Sequence, residues 1–338
     1  FSGTSTLMAD HFKESADKAI RNFLKVSADP FVVEIGSNDG IMLRNFAKKG
    51  IRHLGIEPSA NVAQVATDQG INTIVEFFDK SLAARIVKEN GHADLFMAAN
   101  VMCHIPYIKS IIEGIKVLLK PDGIVMFEDP YLGDVIQNTT YDQIYDEHTF
   151  LYSVRSVDYL FRQHGMEVIR VEPLETHGGS MRYMVAHKGR RSIQDNVYDQ
   201  LQFEKDIGLN ELKTYQKFRQ ACEQSKAKLM GLLRDIRSQG KSISGYAATS
   251  KSTTIINYCG ITREYLDCIY DTTPIKLGKY SPGAHIPIVD HDHFKEHYPD
   301  YALLFGYNHE KEIMTKERDF MARGGRWITY VPTVRVID

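Results

Sequence analysis

Apolar positions near the start of the chain recur at helical spacing. Met8, Phe12, Ala16, Ile20 and Phe23 mark one face, which predicts a leading helix over about 5–25. Short apolar runs bounded by turn residues then predict strands at 31–35, 53–57, 73–77, 94–98 and 123–128. The last of these follows a turn at Lys120-Pro121-Asp122-Gly123, and 166–171 with 181–187 read as a closing antiparallel pair. Strands alternating with helical stretches imply a parallel sheet covered on both faces. After Gly189 the period lengthens: Leu212, Tyr215, Leu229, Leu232, Leu233 and Ile236 predict helix across about 192–239, capped at Gly240. The strand-turn-helix rhythm returns at 243–247, 265–270, 301–304 and 327–330. The expected organisation is a leading helix or linker (1–25), a first α/β domain (26–190), a helical connector (191–240) and a smaller Rossmann-like α/β domain (241–338). No residue-level repeat links the two α/β halves.

Composition narrows the function classes. The 338 residues are 43% hydrophobic and 25% charged, with a net charge of -2. That balance suits a globular protein and offers no basic field for nucleic acid. No apolar run is long enough to span a bilayer, so no membrane partner is expected. Cys103, Cys222, Cys259 and Cys268 stand far apart with no C-x-x-C pair, which predicts a reducing, cytoplasmic setting and no structural metal. The chain opens at Phe1 without a Met or a visible secretory signal.

The first predicted strand ends in Glu34-Ile35-Gly36-Ser37-Asn38-Asp39-Gly40. Gly36 and Gly40 suit a sharp turn with close backbone approach to a ligand, and the following helix is expected from about Ile41. A dinucleotide site would show G-x-G-x-x-G and hold pyrophosphate at the helix N-terminus. Here Glu34 and Asp39 would repel that anion, but they suit the cationic sulfonium and ammonium of S-adenosylmethionine (SAM). Glu57, at the end of the second strand, is placed to accept ribose hydroxyls, with Pro58 beside it. Phe78, past the third strand, and Asn100, at the end of the fourth, complete the expected cofactor contacts. The fold class is thus a class I SAM-dependent methyltransferase domain followed by the second Rossmann-like unit. Incidental acids in a plain strand-turn-helix are the alternative.

Acid-base candidates cluster in Tyr141-Asp142-Gln143-Ile144-Tyr145-Asp146-Glu147-His148. An imidazole titrates near ~6.5, so His148 can serve as a neutral base, with Glu147 and Tyr145 close enough in sequence to assist. A solvated polar loop is the competing reading. His104 lies just past the fourth strand. His177-Gly178-Gly179-Ser180-Met181-Arg182 is a glycine turn entering a strand; His177, Gly178, Gly179, Ser180 and the basic Arg182 are expected to bind substrate, with a plain β-turn as the alternative. In the second unit Tyr246, Lys251 and Ser252 flank a strand-to-helix turn that could receive a diphosphate, with Lys276 and Lys279 in a later turn. The G-x-x-x-x-G-K-[ST] spacing of an ATP loop is absent.

Together the E-I-G-S-N-D-G turn, Tyr145-Asp146-Glu147-His148, His177-Gly178-Gly179-Ser180 and the Pro282-Gly283 segment resemble the nucleotide-sugar C-methyltransferases over almost the whole chain. The resemblance implies SAM as cofactor and a nucleotide-diphosphate 4-keto-6-deoxysugar (dTDP or GDP) as substrate, held with help from the C-terminal unit. It implies His148 as the base removing the C3 proton, with Tyr145, Glu147 and His104 in the active site and no metal required. Members of that family carry an N-terminal module with paired cysteines that bind zinc, which this chain does not show. Its opening, Phe1-Ser2-Gly3-Thr4-Ser5-Thr6, is similar to the linker after that module. A sugar O-methyltransferase, a nicotinamide-dependent sugar dehydrogenase and a non-catalytic sugar-nucleotide-binding protein are the alternatives.

Overall fold

The computed structural model describes residues 6–25 and 27–338; the opening 1–5, compared above with a linker, lies outside the described residues. Contacts divide the chain into two compact units that interleave in sequence. One takes the residues up to 131 with 149–174 and 180–206; the other takes 132–148, 175–179 and 207–338.

The first unit is built on seven strands: β1 (Phe31–Ile35), β2 (Arg52–Ile56), β3 (Thr73–Ile74), β4 (Ala93–Ala99), β5 (Leu119–Pro130), β6 (Met166–Leu174) and β7 (Ser180–His187). Their order is β3-β2-β1-β4-β5-β7-β6. The first five are parallel, and β7 runs antiparallel between β5 and β6. Strand order reverses between β1 and β4, and a crevice at such a switch point is where ligands of open α/β sheets bind.

Alternation along the strands sorts the two faces. Phe31, Val33 and Ile35 enter one apolar cluster with Phe96, Val125 and Phe127. Val32, Leu95, Met97, Ile124, Met126, Met184 and Ala186 form the other, covered by Phe12, Ala16 and Ala19 of the leading helix Thr6–Ala19. Two residues further along that second face the side chains turn polar: Glu34 on β1, Glu128 on β5, Arg182 on β7. Arg182 is 2% exposed and binds the Glu128 carboxylate at 2.7 and 3.0 Å. It also reaches Glu172 at 3.3 Å and the Ser15 hydroxyl, while His11 Nε2 meets Glu128 at 2.6 Å. His11 and Ser15 belong to the leading helix, so one buried network pins that helix to the ends of β5 and β7. This corrects the expectation that Arg182 is a substrate ligand, because its guanidinium is committed to internal carboxylates.

The second unit has six strands: β8 (Ile243–Tyr246), β9 (Ile269–Asp271), β10 (Ile288–Asp290), β11 (Tyr301–Leu304), β12 (Arg326–Thr329) and β13 (Arg335–Ile337). Their order is β10-β9-β8-β11-β12-β13, all parallel except β13 against β12. Its core includes Tyr141, Leu229, Leu233, Ile255, Ile269, Leu303 and Tyr330.

Several sequence expectations shift. The third strand is two residues long, because it lies at the sheet edge and Val75 and Phe77 point into solvent. Ile41, Met42 and Leu43 are all buried, which no single helical face allows. The chain therefore makes tight turns there, and helix begins only at Arg44. Lys120–Gly123 is a bulge inside β5 between the Ala93–Leu119 and Leu95–Ile124 pairs, tied down by Lys120 on Asp94 at 2.7 Å. The 192–239 stretch is two helices, Asp195–Asp206 and Leu212–Ser238, broken around Gly208 (φ 70°). The former packs on β6 in the first unit and the latter on β8 in the second, so contacts part at 206/207 and not at 190 or 240. Strands β10 and β13 are too short, at three residues each, to show a period.

Burial alone would raise the Glu128 carboxyl, but the His11 hydrogen bond and the Arg182 charge override it and hold it below its ordinary range. A depressed carboxylate stabilises the fold above its unfolded pKa of about 4.3, and that contribution is lost as pH falls through the folded value. Arg182→Met is therefore expected to cost about 3–5 kcal/mol at neutral pH, since it strands a buried charge. Urea unfolding of both proteins should show the gap narrowing below about pH 4 as Glu128 protonates.

Candidate active site

The turn after β1 is shaped by contacts that only small residues permit. Gly36 has φ 59°, and a Cβ there would fall 2.3 Å from Val101 Cγ2; at Gly40 (φ 77°) it would fall 2.9 Å from Ile71. Asn38 (φ 52°) and Asn100 (φ 56°) take the left-handed conformation that asparagine tolerates. Ser37 is buried over Gly55 of β2, a glycine whose role has no local signature in the sequence. Glu57 accepts the backbone N–H of Asn38 at 3.1 Å and of Ser59 at 2.9 Å, which fixes the turn and leaves further lone pairs for a ligand. Pro58 beside it is exposed, and the Asn100 N–H donates to the Glu128 carbonyl at 2.7 Å.

Four carboxylates converge at this end of the sheet. Glu34 is buried, and its Oε2 has no hydrogen-bond partner among the described residues. Burial first, then the charges of Asp39, Glu128 and Glu57, push it well above the usual carboxylate range. A bound cation would relieve that repulsion and a pyrophosphate would worsen it, so the turn fits the sulfonium nucleoside expected from the sequence. Phe78, expected beside the cofactor, packs in the core against Phe96 with ring centroids 5.4 Å apart; the shortened β3 turns it inward.

His104 ends a 3₁₀ turn, Met102–His104, directly after β4 and is half-buried. The turn is braced by the Phe150 N–H on the Cys103 carbonyl (3.1 Å) and by the Tyr152 hydroxyl on the Met102 carbonyl (3.2 Å). Burial raises the Cys103 thiol far out of the reactive range. It also raises the neighbouring Asp129 to about 7, against the opposing pull of Cys103.

The second unit gathers the other motifs. The Tyr145 and His148 rings meet at a 30° tilt with centroids 4.0 Å apart, and His148 Nδ1 lies 2.7 Å from the Gln143 carbonyl oxygen. A carbonyl only accepts, so Nδ1 carries a proton. Of Glu147 and Tyr145, expected to orient or assist His148, Glu147 is exposed and Tyr145 lies against the His148 ring, while the Gln143 carbonyl accepts from Nδ1. Gln143 is buried, and its side-chain amide donates to the His177 carbonyl at 2.5 Å. His177 (φ 56°), Gly178 (φ 87°) and Gly179 (φ 121°) form the turn entering β7. A Cβ on Gly178 would meet the Tyr307 hydroxyl at 3.1 Å, and one on Gly179 would meet Asp134 at 2.5 Å. These glycines therefore make room for protein side chains. Burial lifts Asp134 to about 6. Ser180, the first residue of β7, is buried in the first unit.

The turn after β8, expected to receive a diphosphate, uses its donors internally. The Ala248 N–H donates to Asp271 at 2.7 Å, and so does the Thr273 N–H. The Ser252 N–H is capped by the Thr249 hydroxyl at 3.1 Å. Tyr246 donates to the buried Glu317 at 2.9 Å, Lys276 to the Ala248 carbonyl at 2.8 Å, and Lys251 to the His177 carbonyl at 3.0 Å. Tyr246, Lys251, Ser252 and Lys276 thus make internal bonds, and Lys279 is exposed.

Comparison with known proteins divides the chain near residues 171–175. A family model described as a methyltransferase domain matches residues 8–171, and one described as a C-methyltransferase C-terminal domain matches 175–332. The C-methyltransferase NovU of Streptomyces niveus is 34% identical over 97% of this chain and 78% of its own length. A ubiquinone biosynthesis O-methyltransferase of Acinetobacter baylyi is 29% identical over 28% of this chain and 42% of its own. Among solved structures, magnesium protoporphyrin IX methyltransferase from Synechocystis with bound SAM aligns with a TM-score of 0.40 at 12% identity, over 54% of this chain and 82% of that one. With both halves matched and a relative of this identity spanning nearly its whole length, the chain belongs to the SAM-dependent C-methyltransferases.

Proposed function

We propose that this enzyme methylates C3, the carbon next to the ketone, of a nucleotide-linked 4-keto-6-deoxysugar, with His148 as the base. The observation that carries the reading is the bond from His148 Nδ1 to the Gln143 carbonyl, which leaves Nε2 able to take a proton. The resemblance of the Y-D-E-H and H-G-G-S motifs to the nucleotide-sugar C-methyltransferases supplies the substrate class, dTDP- or GDP-linked.

SAM, when bound, supplies an electrophilic methyl group. Glu34, Asp39 and Glu57 would hold its cationic and ribose portions, with Gly36 and Gly40 allowing close approach. The chain's own part is to make carbon nucleophilic. A C–H beside a ketone is far less acidic than imidazolium, and general-base positioning gives only about 10²–10⁴-fold. A donor at the developing oxyanion adds about 2.7–4 kcal/mol, so a lone histidine is insufficient. Tyr145 is the donor proposed for the 4-keto oxygen, with His104 as the alternative. His148 Nε2 removes the C3 proton as that oxygen gains charge, and the imidazolium so formed keeps its Nδ1–H on Gln143.

Incubation with SAM and a panel of dTDP- and GDP-4-keto-6-deoxysugars should yield a product heavier by one CH₂. With S-adenosylhomocysteine in place of SAM, the substrate C3–H should exchange with deuterated solvent. An O-methyltransferase would show no such exchange. His148→Asn is expected to lower both exchange and methyl transfer about 10²–10⁴-fold while SAM binding by calorimetry is unchanged. Loss of SAM binding in that variant would contradict the role.

Gly36→Ala tests the cofactor turn. Left-handed backbone costs an alanine about 1–2 kcal/mol, and the Val101 collision adds to it, so SAM affinity should fall at least about tenfold. An unchanged dissociation constant in titration calorimetry would remove this turn from the cofactor site.

A further inference from the structure

Beneath His148 lies a buried polar platform that the proposed chemistry does not itself use. Asp142 is fully buried, and its carboxylate accepts from the Tyr330 hydroxyl at 2.9 Å and the Tyr307 hydroxyl at 3.3 Å. Lys251 is buried, sits 4.9 Å from the centroid of the Tyr307 ring, and donates to the His177 carbonyl at 3.0 Å. That same carbonyl accepts from Gln143 at 2.5 Å. Gln143 follows Asp142 directly, and its own carbonyl takes the His148 Nδ1–H. The left-handed backbone of His177 is thus held by two donors on one oxygen, Gln143 from the segment that carries His148 and Lys251 from the helix Ser250–Cys259.

We infer that Lys251, Asp142 and Gln143 are positioning residues that fix the tautomer and orientation of His148 by locking its segment to the His177–Gly179 turn, and that Lys251 is no ligand of the substrate diphosphate. The inference rests on the reading of His148 as base. Its physical basis is that both charges are out of water. Burial pushes Asp142 up although Lys251 and the two tyrosines oppose it, and burial pushes Lys251 down although Asp142 opposes it. Each charge favours the ionised form of the other, so removing one disturbs the platform. The lysine side chain faces a carbonyl, a tyrosine ring and the field of a carboxylate, a setting already satisfied without an external anion.

The test is a cycle of Lys251→Met, Asp142→Asn and their double variant, assayed with SAM and the best sugar nucleotide from the panel above. Lys251→Met should lower kcat about 10²-fold, the scale of a 1 Å misplacement, with KM for the sugar nucleotide unchanged. Adding Asp142→Asn should restore most of that loss, because no unpaired charge then remains. A diphosphate ligand would instead show a raised KM that Asp142→Asn does not repair, and that result overturns the inference. Gln143→Met breaks the amide–carbonyl bond without stranding a charge, and provides the same kcat readout should Lys251→Met fail to fold. In parallel, ¹⁵N spectra of the His148 ring should show the Nδ1–H tautomer in the wild type and a tautomer mixture in the variants. Unchanged kcat and unchanged ring signals in Lys251→Met and Gln143→Met would sink the positioning role while leaving methyl transfer standing. If no sugar nucleotide turns over in the wild type, the proposed function fails, and the ring signals still decide for or against the platform.

Discussion

Charge removed from water must be compensated, and the first unit is organised around that constraint. At the carboxyl ends of β1, β2 and β5 the sheet accumulates acids, and each is answered differently. Glu128 is neutralised internally by Arg182 and His11, which also holds the leading helix against the sheet. Glu57 is occupied by two backbone N–H groups of the turn. Glu34 has no cation paired with it among the described residues, and burial with the neighbouring acids raises its carboxyl well above the usual range. A site built this way selects for a positively charged ligand before any specific contact is considered, which is the property a sulfonium cofactor requires.

The second unit solves a different problem, fixing the orientation of the His148 ring through the Gln143 carbonyl. A histidine at the end of an irregular segment has little intrinsic rigidity. Here the segment is anchored upstream by Tyr141, whose ring is buried in the core and whose hydroxyl lies 3.2 Å from Ser225, and by Asp142 on two tyrosines. The anchors therefore come from the second unit, although the segment lies in sequence between two strands of the first.

Much of this was legible in the sequence, for local reasons. A strand ending in Glu34 and followed by Gly36 and Gly40 states both its geometry and its electrostatics within seven residues. The strand rhythm and the antiparallel closing pair were equally readable from period alone. Other features have no local signal. Asp142 and Gln143 stood in plain view among the acid-base candidates, but the residues that give Asp142 its role, Tyr307 and Tyr330, lie 165 and 188 positions away. Lys251 and Arg182 read as anion ligands because a basic residue near a glycine or a helix start resembles one. Only burial and carboxylate or carbonyl partners reveal that each is internal. Phe78 was misplaced because the length of an edge strand is set by what pairs with it.

The interleaving of the units bears on how the protein can be cut. Excising residues 175–332, the span that matches the C-terminal family model, would remove the 132–148 excursion. The remaining fragment would keep Tyr330 and Tyr307 but lose the buried carboxylate they donate to, and the tyrosine that fills the core beside Cys222 and Cys259. A polypeptide boundary chosen from homology alone would thus leave a void lined with unsatisfied hydroxyls. The smallest self-sufficient version of this half is a spliced one, with the excursion grafted back.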